Sequence, residues 1–253
     1  MKIHRAKNSN KRSAAVLFVL QIIFGTLPAV LLVIFAFSSD LVKNSSVITD
    51  KDNYLWAYIS AAAIILCGFA YMILSRRYNI LISGLRGEKL LSKIAKKHKN
   101  SYNIFLNIPV RYKRNRSEID MLMISEKGIL IVEVKNHSGT IIGSDKDEQW
   151  CQYKYYKDGH STESEMKNPI KQLSRQRDIL KNILRSHGYD AWIDGVVLFS
   201  NPFVRLKLSL NNPNSFVVSG EKELDDFINS YKPSKKLDRD DVKRIVSILE
   251  ELL

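Results

Sequence analysis

Cysteine is nearly missing from this chain: among 253 residues there are two, Cys67 and Cys151. They stand far apart and at no metal-ligand spacing, which excludes a disulfide scaffold and a thiolate zinc site. The fold must hold together by burial, in a compartment where thiols stay reduced. Histidine is scarce as well, with five residues and no metal or triad spacing. Acidic residues are outnumbered, 26 against 39 Lys and Arg, giving a net charge of +13 and a pI near 9.6. That imbalance points to a polyanion, either nucleic acid or an anionic membrane surface. Repeats and low-complexity stretches are absent. With hydrophobic residues at 45% and charged ones at 26%, global disorder is not expected. No helix-turn-helix, zinc-finger or RNA-binding signature is present, so sequence-specific reading of a nucleic acid is not expected either.

Formal charge is absent from two long runs, residues 14–37 and 55–74, of 24 and 20 residues. A bilayer core needs about 20 apolar residues per helix, so both runs qualify as membrane spans. A cleaved signal peptide is disfavoured, because the first run is long for one, no A-x-A site follows and a second run comes next. Residues 1–13 carry Lys2, Arg5, Lys7, Lys11 and Arg12 without an acid, and Arg76 and Arg77 follow the second run. The connecting residues 38–54 have a net charge of −1. The positive-inside rule then predicts a two-span protein of the cell membrane, with a short external loop and both termini cytoplasmic. Tyr54, Trp56 and Tyr78 stand near the span ends as aromatic anchors.

From Ser75 onward the chain holds 32 basic and 23 acidic residues, long enough for one well-packed domain. Leu90, Leu91, Ile94 and Ala95 recur at helical spacing and predict a helix over 85–99. Residues 102–111 read as a strand whose Pro109 suggests an edge or an end. Residues 118–124 and 129–135 read as two strands joined by a turn ending at Gly128. Short strands are expected at 140–142, 149–156 and 216–219. Asn168-Pro169 reads as an N-cap followed by proline, opening a helix that stops at Gly188. The wholly apolar 195–200 reads as a buried central strand. Helices over 221–231 and 238–253 close the chain. The order of elements predicts an α/β class with a central sheet flanked by helices.

The hairpin at Gly128 carries the chemistry. With a turn over 125–128, facing residues sum to 253, so Asp120 lies opposite Glu133. Lys135, two residues further, shares that side of the sheet. A one-residue slip would turn Asp120 to the other face. Glu133 and Lys135 interrupt an otherwise interior strand, and buried charge is costly unless paired or metal-bound. An E-x-K on its own reads as an ion pair at a strand end. The facing Asp120 changes that, because two close carboxylates repel unless a cation or proton joins them. Carboxylate oxygens beside one amine suit Mg²⁺, which can polarise a phosphoryl oxygen and activate a water.

This arrangement resembles the PD-(D/E)xK nuclease superfamily, and within it the nuclease-related domain (NERD) family. The matching features are Gly87-Glu88, Glu118-Ile119-Asp120, the run 128–135 ending in Glu133-Val134-Lys135, Gly139, Trp150, Asn168-Pro169 with Gln172, and the strand 196–200. The resemblance covers 84–201. Ile119 departs from it, since a proline often precedes the aspartate. The resemblance implies a restriction-endonuclease-like mixed sheet flanked by helices, here preceded by the two-helix transmembrane hairpin. Residues 202–253 are expected to pack on the domain as a strand and helical extension. It further implies Asp120 and Glu133 as ligands of Mg²⁺ or Mn²⁺, the Val134 carbonyl as a third, Lys135 as the catalytic lysine, and Glu88 and Gln172 reaching in from their helices. Many enzymes of this superfamily cut as homodimers, while the sequence itself leaves the oligomeric state open. Trp150 reads as core rather than ligand-stacking, and His137 as a loop residue.

The substrate side rests on charge. Residues 86–116 hold ten Lys or Arg and one acid, Glu88. Arg111, Lys113, Arg114 and Arg116 precede the Asp120 strand, and Lys171 and Arg175 ride the Gln172 helix. Such residues beside a carboxylate–metal site fit a phosphodiester backbone, with DNA favoured over RNA. Lys93, Lys96, Lys97 and Lys99 could instead meet anionic lipid of the bilayer. The expectation is a membrane-anchored, Mg²⁺-dependent nuclease facing the cytoplasm. The alternative is a non-catalytic tethered module that binds nucleic acid, anionic lipid or a partner protein.

Overall fold

The computed structural model describes residues 2–5, 10–43, 50–233 and 235–253. In chain order the elements are β1 (Ile3–Arg5), α1 (Asn10–Lys43), α2 (Asp50–His98), β2 (Asn103–Tyr112), β3 (Asn115–Ser125), β4 (Gly128–Lys135), β5 (Gly139–Ser144), β6 (Gln149–Tyr155), β7 (Ser161–Lys167), α3 (Pro169–Ser186), β8 (Ile193–Phe199), β9 (Val204–Ser209), β10 (Ser215–Ser219), α4 (Gly220–Ser230) and α5 (Arg239–Glu250). They divide into two compact units. One is Ser9–Leu85; the other joins Met1–Asn8 to Arg86–Leu253.

The first unit is a pair of helices. Gln21 Nε2 donates to Ser75 Oγ at 2.6 Å, and Phe18 meets Tyr78 with ring centroids 5.8 Å apart. A Cβ on Gly25 would stand 3.4 Å from the Tyr71 ring, so the small residue lets the backbone approach an aromatic side chain. Two stretches, Arg12–Val33 and Tyr58–His98, are long and apolar enough to cross a membrane. The second helix is longer than expected: the separate helix anticipated at 85–99 is the C-terminal part of α2. No proline falls between the two predicted pieces, and Gly84 and Gly87 are accommodated within the helix. The anticipated loop at 38–54 shrinks for the same reason, since 38–43 and 50–54 are helical. Its residues 44–49, like Lys7, lie outside the described residues.

The second unit is a mixed α/β fold with two sheets. The larger has the order β1-β2-β3-β4-β8-β10 and the smaller β7-β6-β5-β9. In the larger sheet β2, β3 and β4 run antiparallel, while β4, β8 and β10 are parallel to one another. Alternation along β4 sends Ile129 and Ile131 to one core and Leu130 and Val132 to the other. The first core is closed by Leu173, Leu180 and Leu184 of α3 and Ile245 and Leu249 of α5. The second is closed by Leu91, Ile94 and Ala95 of α2 and Leu224 and Ile228 of α4. β8, buried at every position, lies between them as its uniform hydrophobicity predicts.

Three strands escaped the sequence. β7 is STESEMK, nearly all exposed and polar. β9 alternates half-buried Val204, Leu206 and Leu208 with exposed Arg205 and Lys207, within the stretch 202–253 expected as a strand and helical extension. β1 is three residues long and pairs in parallel with β2, Ile3 with Ile104 and Arg5 with Leu106. Pro109 lies beyond the stretch of β2 that β1 covers, so its missing N–H costs no ladder bond there.

Gly143 is fixed by its neighbour. A Cβ there would stand 2.2 Å from Trp150 Cδ1, and Trp150 is fully buried against Phe199. Gly143→Ala should therefore destabilise the domain by about 1–3 kcal/mol through overpacking. Thermal unfolding of the full chain in detergent checks this, and an unchanged midpoint would contradict it.

Candidate active site

β4 puts a charge where its neighbours are aliphatic. Glu133 follows the parity of Ile129 and Ile131, and its residue is 3% exposed. A lone carboxylate at that depth is costly, and the structure satisfies it from both sides. Oε1 accepts from Lys135 Nζ and from Gln172 Nε2, each at 2.7 Å. Oε2 accepts from Gln176 Nε2 at 2.7 Å. Lys135 Nζ also donates to Gln172 Oε1 at 2.8 Å. Gln172 and Gln176 are one helical turn apart and so share a face of α3. The start of α3 is pinned by Asn168, whose side chain accepts from Ile170 N at 2.9 Å. Its Nδ2 donates to the carbonyls of Ser144 and Asp147 at 3.0 and 2.7 Å. The cap thereby ties the glutamine-bearing turn to the smaller sheet.

The β3–β4 register follows the expected sum: Ile124 pairs with Ile129 and Met121 with Val132. The ladder ends there, one step before Asp120. Across β2 and β3, Leu106 pairs with Met121 and Ile108 with Ile119, with Asn107 and Asp120 between those pairs. At this point the inward parity of both strands reverses. Phe105 and Leu122 share a core with Ile108 and Ile119, although each pair is separated by an odd number of residues. Asn107 has φ of +55°, the left-handed region that accommodates the reversal. Asp120 is thereby released from ladder pairing. Its Oδ2 accepts from Val134 N at 2.8 Å, so a carboxylate satisfies the β4 backbone, and Oδ1 is left for another donor or a cation.

The electrostatics follow from that crowding. Burial first, then the nearby Glu133 charge, pushes the Asp120 carboxyl up to about 8; the Val134 N–H and Lys135 oppose the shift. Glu118 is raised as well, by desolvation and then by Glu88 and Glu133. Glu88, in the part of α2 belonging to the α/β unit, is thus close enough to Glu118 to act on it. Gly87 beside it packs on β4, where a Cβ would meet Val134 Cγ1 at 3.0 Å.

Among the residues anticipated from sequence, the structure brings Asp120, Glu133, Lys135 and Gln172 together, with Glu88 beyond Glu118. Gln176 and Glu118 were not singled out. The i, i+4 spacing of the two glutamines was the available signal, and Gln176 is fully buried. Trp150 is core, with Nε1 donating to Ser144 O at 2.7 Å. His137 lies within hydrogen-bond reach of Gln152 Oε1 at 3.3 Å, and burial lowers its pKa. Arg111, Lys113, Arg114 and Arg116 are exposed at the tip of the β2–β3 hairpin. Arg175 donates to the Arg116 carbonyl at 3.1 Å, and Lys171 pairs with Glu148. A cavity of about 620 Å³ adjoins the cluster, lined by Ser117, Gln149, Lys167, Lys171, Gln172 and Arg175. Lys93 and Lys97, offered by the sequence to lipid, instead meet Glu221 and Asp225 of α4.

Among the described residues no group of three His, Cys, Asp or Glu side chains converges as a metal cage. The donors for a cation are the Asp120 and Glu133 carboxylates and the adjoining backbone. Two neighbouring carboxylates fit a hard ion that keeps several waters. They do not fit a closed structural site.

Residues 83–200 match the family model of the nuclease-related domain. The resemblance read from the motifs is borne out over nearly the same stretch. A protein of Bacillus anthracis, described as uncharacterized, is 34% identical over 91 residues, which is 35% of this chain and 41% of that relative's length. No solved structure gives a significant match.

The Asp120 shift has a sign that can be tested. Between the ordinary carboxylate range and about 8 the folded state holds a proton that the unfolded chain releases. Stability of the metal-free domain therefore falls as pH rises from about 4 to 8. Asp120→Asn removes the repulsion, so with a chelator present at pH 8 it should stabilise the protein by about 1–3 kcal/mol. The gain should shrink near pH 5. Equal thermal midpoints for variant and wild type at pH 8 would refute this account.

Proposed function

We propose that this chain is a membrane-anchored nuclease whose catalytic domain faces the cytoplasm and hydrolyses DNA phosphodiester bonds with Mg²⁺ or Mn²⁺. Its α/β unit is read as a restriction-endonuclease-like core. The observation that carries this is the Asp120–Glu133 pair, in which burial and then the Glu133 charge raise the Asp120 carboxyl, held with Lys135 beside a groove lined by Glu148, Lys167, Lys171 and Arg175. A purely structural ion pair needs only Glu133 and Lys135.

Asp120 Oδ1 and Glu133 would hold the ion, with the Val134 carbonyl as the third donor. When bound, the ion supplies Lewis acidity toward a phosphoryl oxygen and the attacking water. Lys135, anchored by Glu133 and Gln172, presents an ammonium that neutralises charge building on the phosphate and orients that water. Gln172 and Gln176 keep the Glu133 carboxylate from rotating away. Lys171, Arg175 and the hairpin cations Arg111, Lys113, Arg114 and Arg116 bind the flanking backbone without reading sequence.

The membrane anchoring rests on the two apolar helices and on β1. That strand precedes α1, β2 follows α2, and the two are neighbours in one sheet. The chain entering the helical pair and the chain leaving it must then lie on the same side of any bilayer the pair crosses. The charge bias of the flanks makes that side the cytoplasm. Large apolar side chains such as Ile65, Leu66 and Phe69 are exposed on the helices, as lipid contact requires.

A second reading has its own support. Both Glu133 oxygens are engaged without a metal, so that carboxylate is satisfied as it stands, which also suits a non-catalytic binding module. The two are separated by incubating the full chain in detergent with plasmid DNA and Mg²⁺ or Mn²⁺. Cleavage that drops at least a hundredfold in Asp120→Asn and Lys135→Ala is expected for the enzyme. No cleavage by wild type, with salt-sensitive DNA binding that survives Lys135→Ala, would leave the binding module. Topology has a separate check, in a Cys67→Ser, Cys151→Ser background. Lys51→Cys should react with an impermeant maleimide in intact cells, and Ser161→Cys only after lysis. The reverse pattern would overturn the orientation.

A further inference from the structure

α3 carries a third stripe beside its leucines and its two glutamines. Lys171, Arg175, Asp178 and Asn182 recur at i, i+4, i+7 and i+11, one continuous helical face. This stripe borders two cavities. The nearer is the groove at Gln172. The farther, about 400 Å³, is lined by Tyr112 and Asn115 of the hairpin and by Ser174, Asp178, Ile179 and Asn182 of α3. Lys171, paired with Glu148, and Arg175 line both, so these two side chains join the farther pocket to the groove at Gln172.

The lining discriminates between ligands. A bare phosphate would meet the Asp178 carboxylate, which repels it. A nucleobase meets an aromatic ring, an apolar floor at Ile179 and a rim of amide, hydroxyl and carboxylate groups that match ring donors and acceptors. The volume lies within the range of small-molecule sites. Along the helix, Gln172 and Asp178 are about 9 Å apart, the span of two or three stacked nucleotides at about 3.4 Å each. A duplex keeps its base faces stacked and has none to offer Tyr112. We propose that the Tyr112–Asn182 pocket holds an unpaired nucleobase of the strand whose backbone lies at Asp120 and Glu133, so that the domain prefers polynucleotide with a single-stranded segment. This rests on the nuclease reading and adds a substrate class to it.

The test is fluorescence anisotropy with the full chain in detergent, without divalent cation. The probes are a short labelled single strand and a blunt duplex of the same sequence. Wild type should bind the single strand more tightly. Tyr112→Ala should weaken single-strand binding about tenfold and duplex binding less than twofold, and Tyr112→Phe should keep both. Asn182→Leu, from the opposite wall, should repeat the selective loss. Arg175→Ala, at a residue lining both cavities, should weaken both probes. Equal losses on both probes with Tyr112→Ala and Asn182→Leu, or no loss with either, would overturn the pocket while leaving the nuclease reading intact. Displacement of the strand by deoxyadenosine monophosphate at comparable concentration would assign the pocket to a free nucleotide and overturn the strand-borne base. Failure of wild type to bind either probe would instead overturn the nucleic-acid reading beneath it.

Discussion

Burying Glu133 is the constraint from which the rest of the site follows. The carboxylate sits in a strand whose other inward residues are Ile129 and Ile131, and its isolation there would be costly. Three groups reach it, and each comes from an element that must be placed to allow the contact. Lys135 is supplied by strand parity. Gln172 and Gln176 are supplied by α3, whose start is fixed by Asn168 to the carbonyls of Ser144 and Asp147. The smaller sheet is therefore part of the site although it contributes no ligand, because it holds the cap that aims the glutamines.

Asp120 is placed by a different device. In a regular hairpin it would pair with Glu133 across the ladder and present its carboxylate to the same core. The parity reversal at Asn107 and Asp120 instead frees it to bond Val134 N. One carboxylate is thus locked by side chains and the other by backbone. They remain close enough that the Glu133 charge adds to burial in raising Asp120 to about 8. The proton held on Asp120 relieves a repulsion that neither carboxylate can escape without breaking its own anchors.

Much of this was legible in the sequence, and the parts that were not share a cause. The hairpin register, the Asn168 cap, the Gly188 stop and the buried β8 were all readable because each depends on local chemistry or on period alone. Gly188 indeed has φ of +84°. The Asp120 geometry was not readable, because a strand's parity break depends on a residue thirteen positions earlier in another strand. Gln176 was not legible because helical periodicity shows amphipathicity but not the polar group waiting on the facing sheet. β1 was invisible for a related reason: three residues carry no periodicity, and their strand exists only because β2 offers an edge across some hundred residues of chain.

The charge excess also acquires a location that composition could not give. Lys93, Lys97 and His98 of α2 face Glu221 and Asp225 of α4, Arg239 pairs with Glu126, and Arg185 with Asp190. Each such surface pair contributes little stability, yet each cancels a cation away from the cleft. Arg111, Lys113, Arg114 and Arg116 form no ion pair with an acid among the described residues, and Arg175 spends one donor on a neutral carbonyl. The hairpin tip thus keeps its four cations uncompensated, and Arg175 of α3 is bonded to it, whereas Lys171 on the same helix is paired with Glu148. On the nuclease reading proposed above, these hairpin cations and Arg175 are the groups available to meet a polyanion beside Asp120 and Glu133.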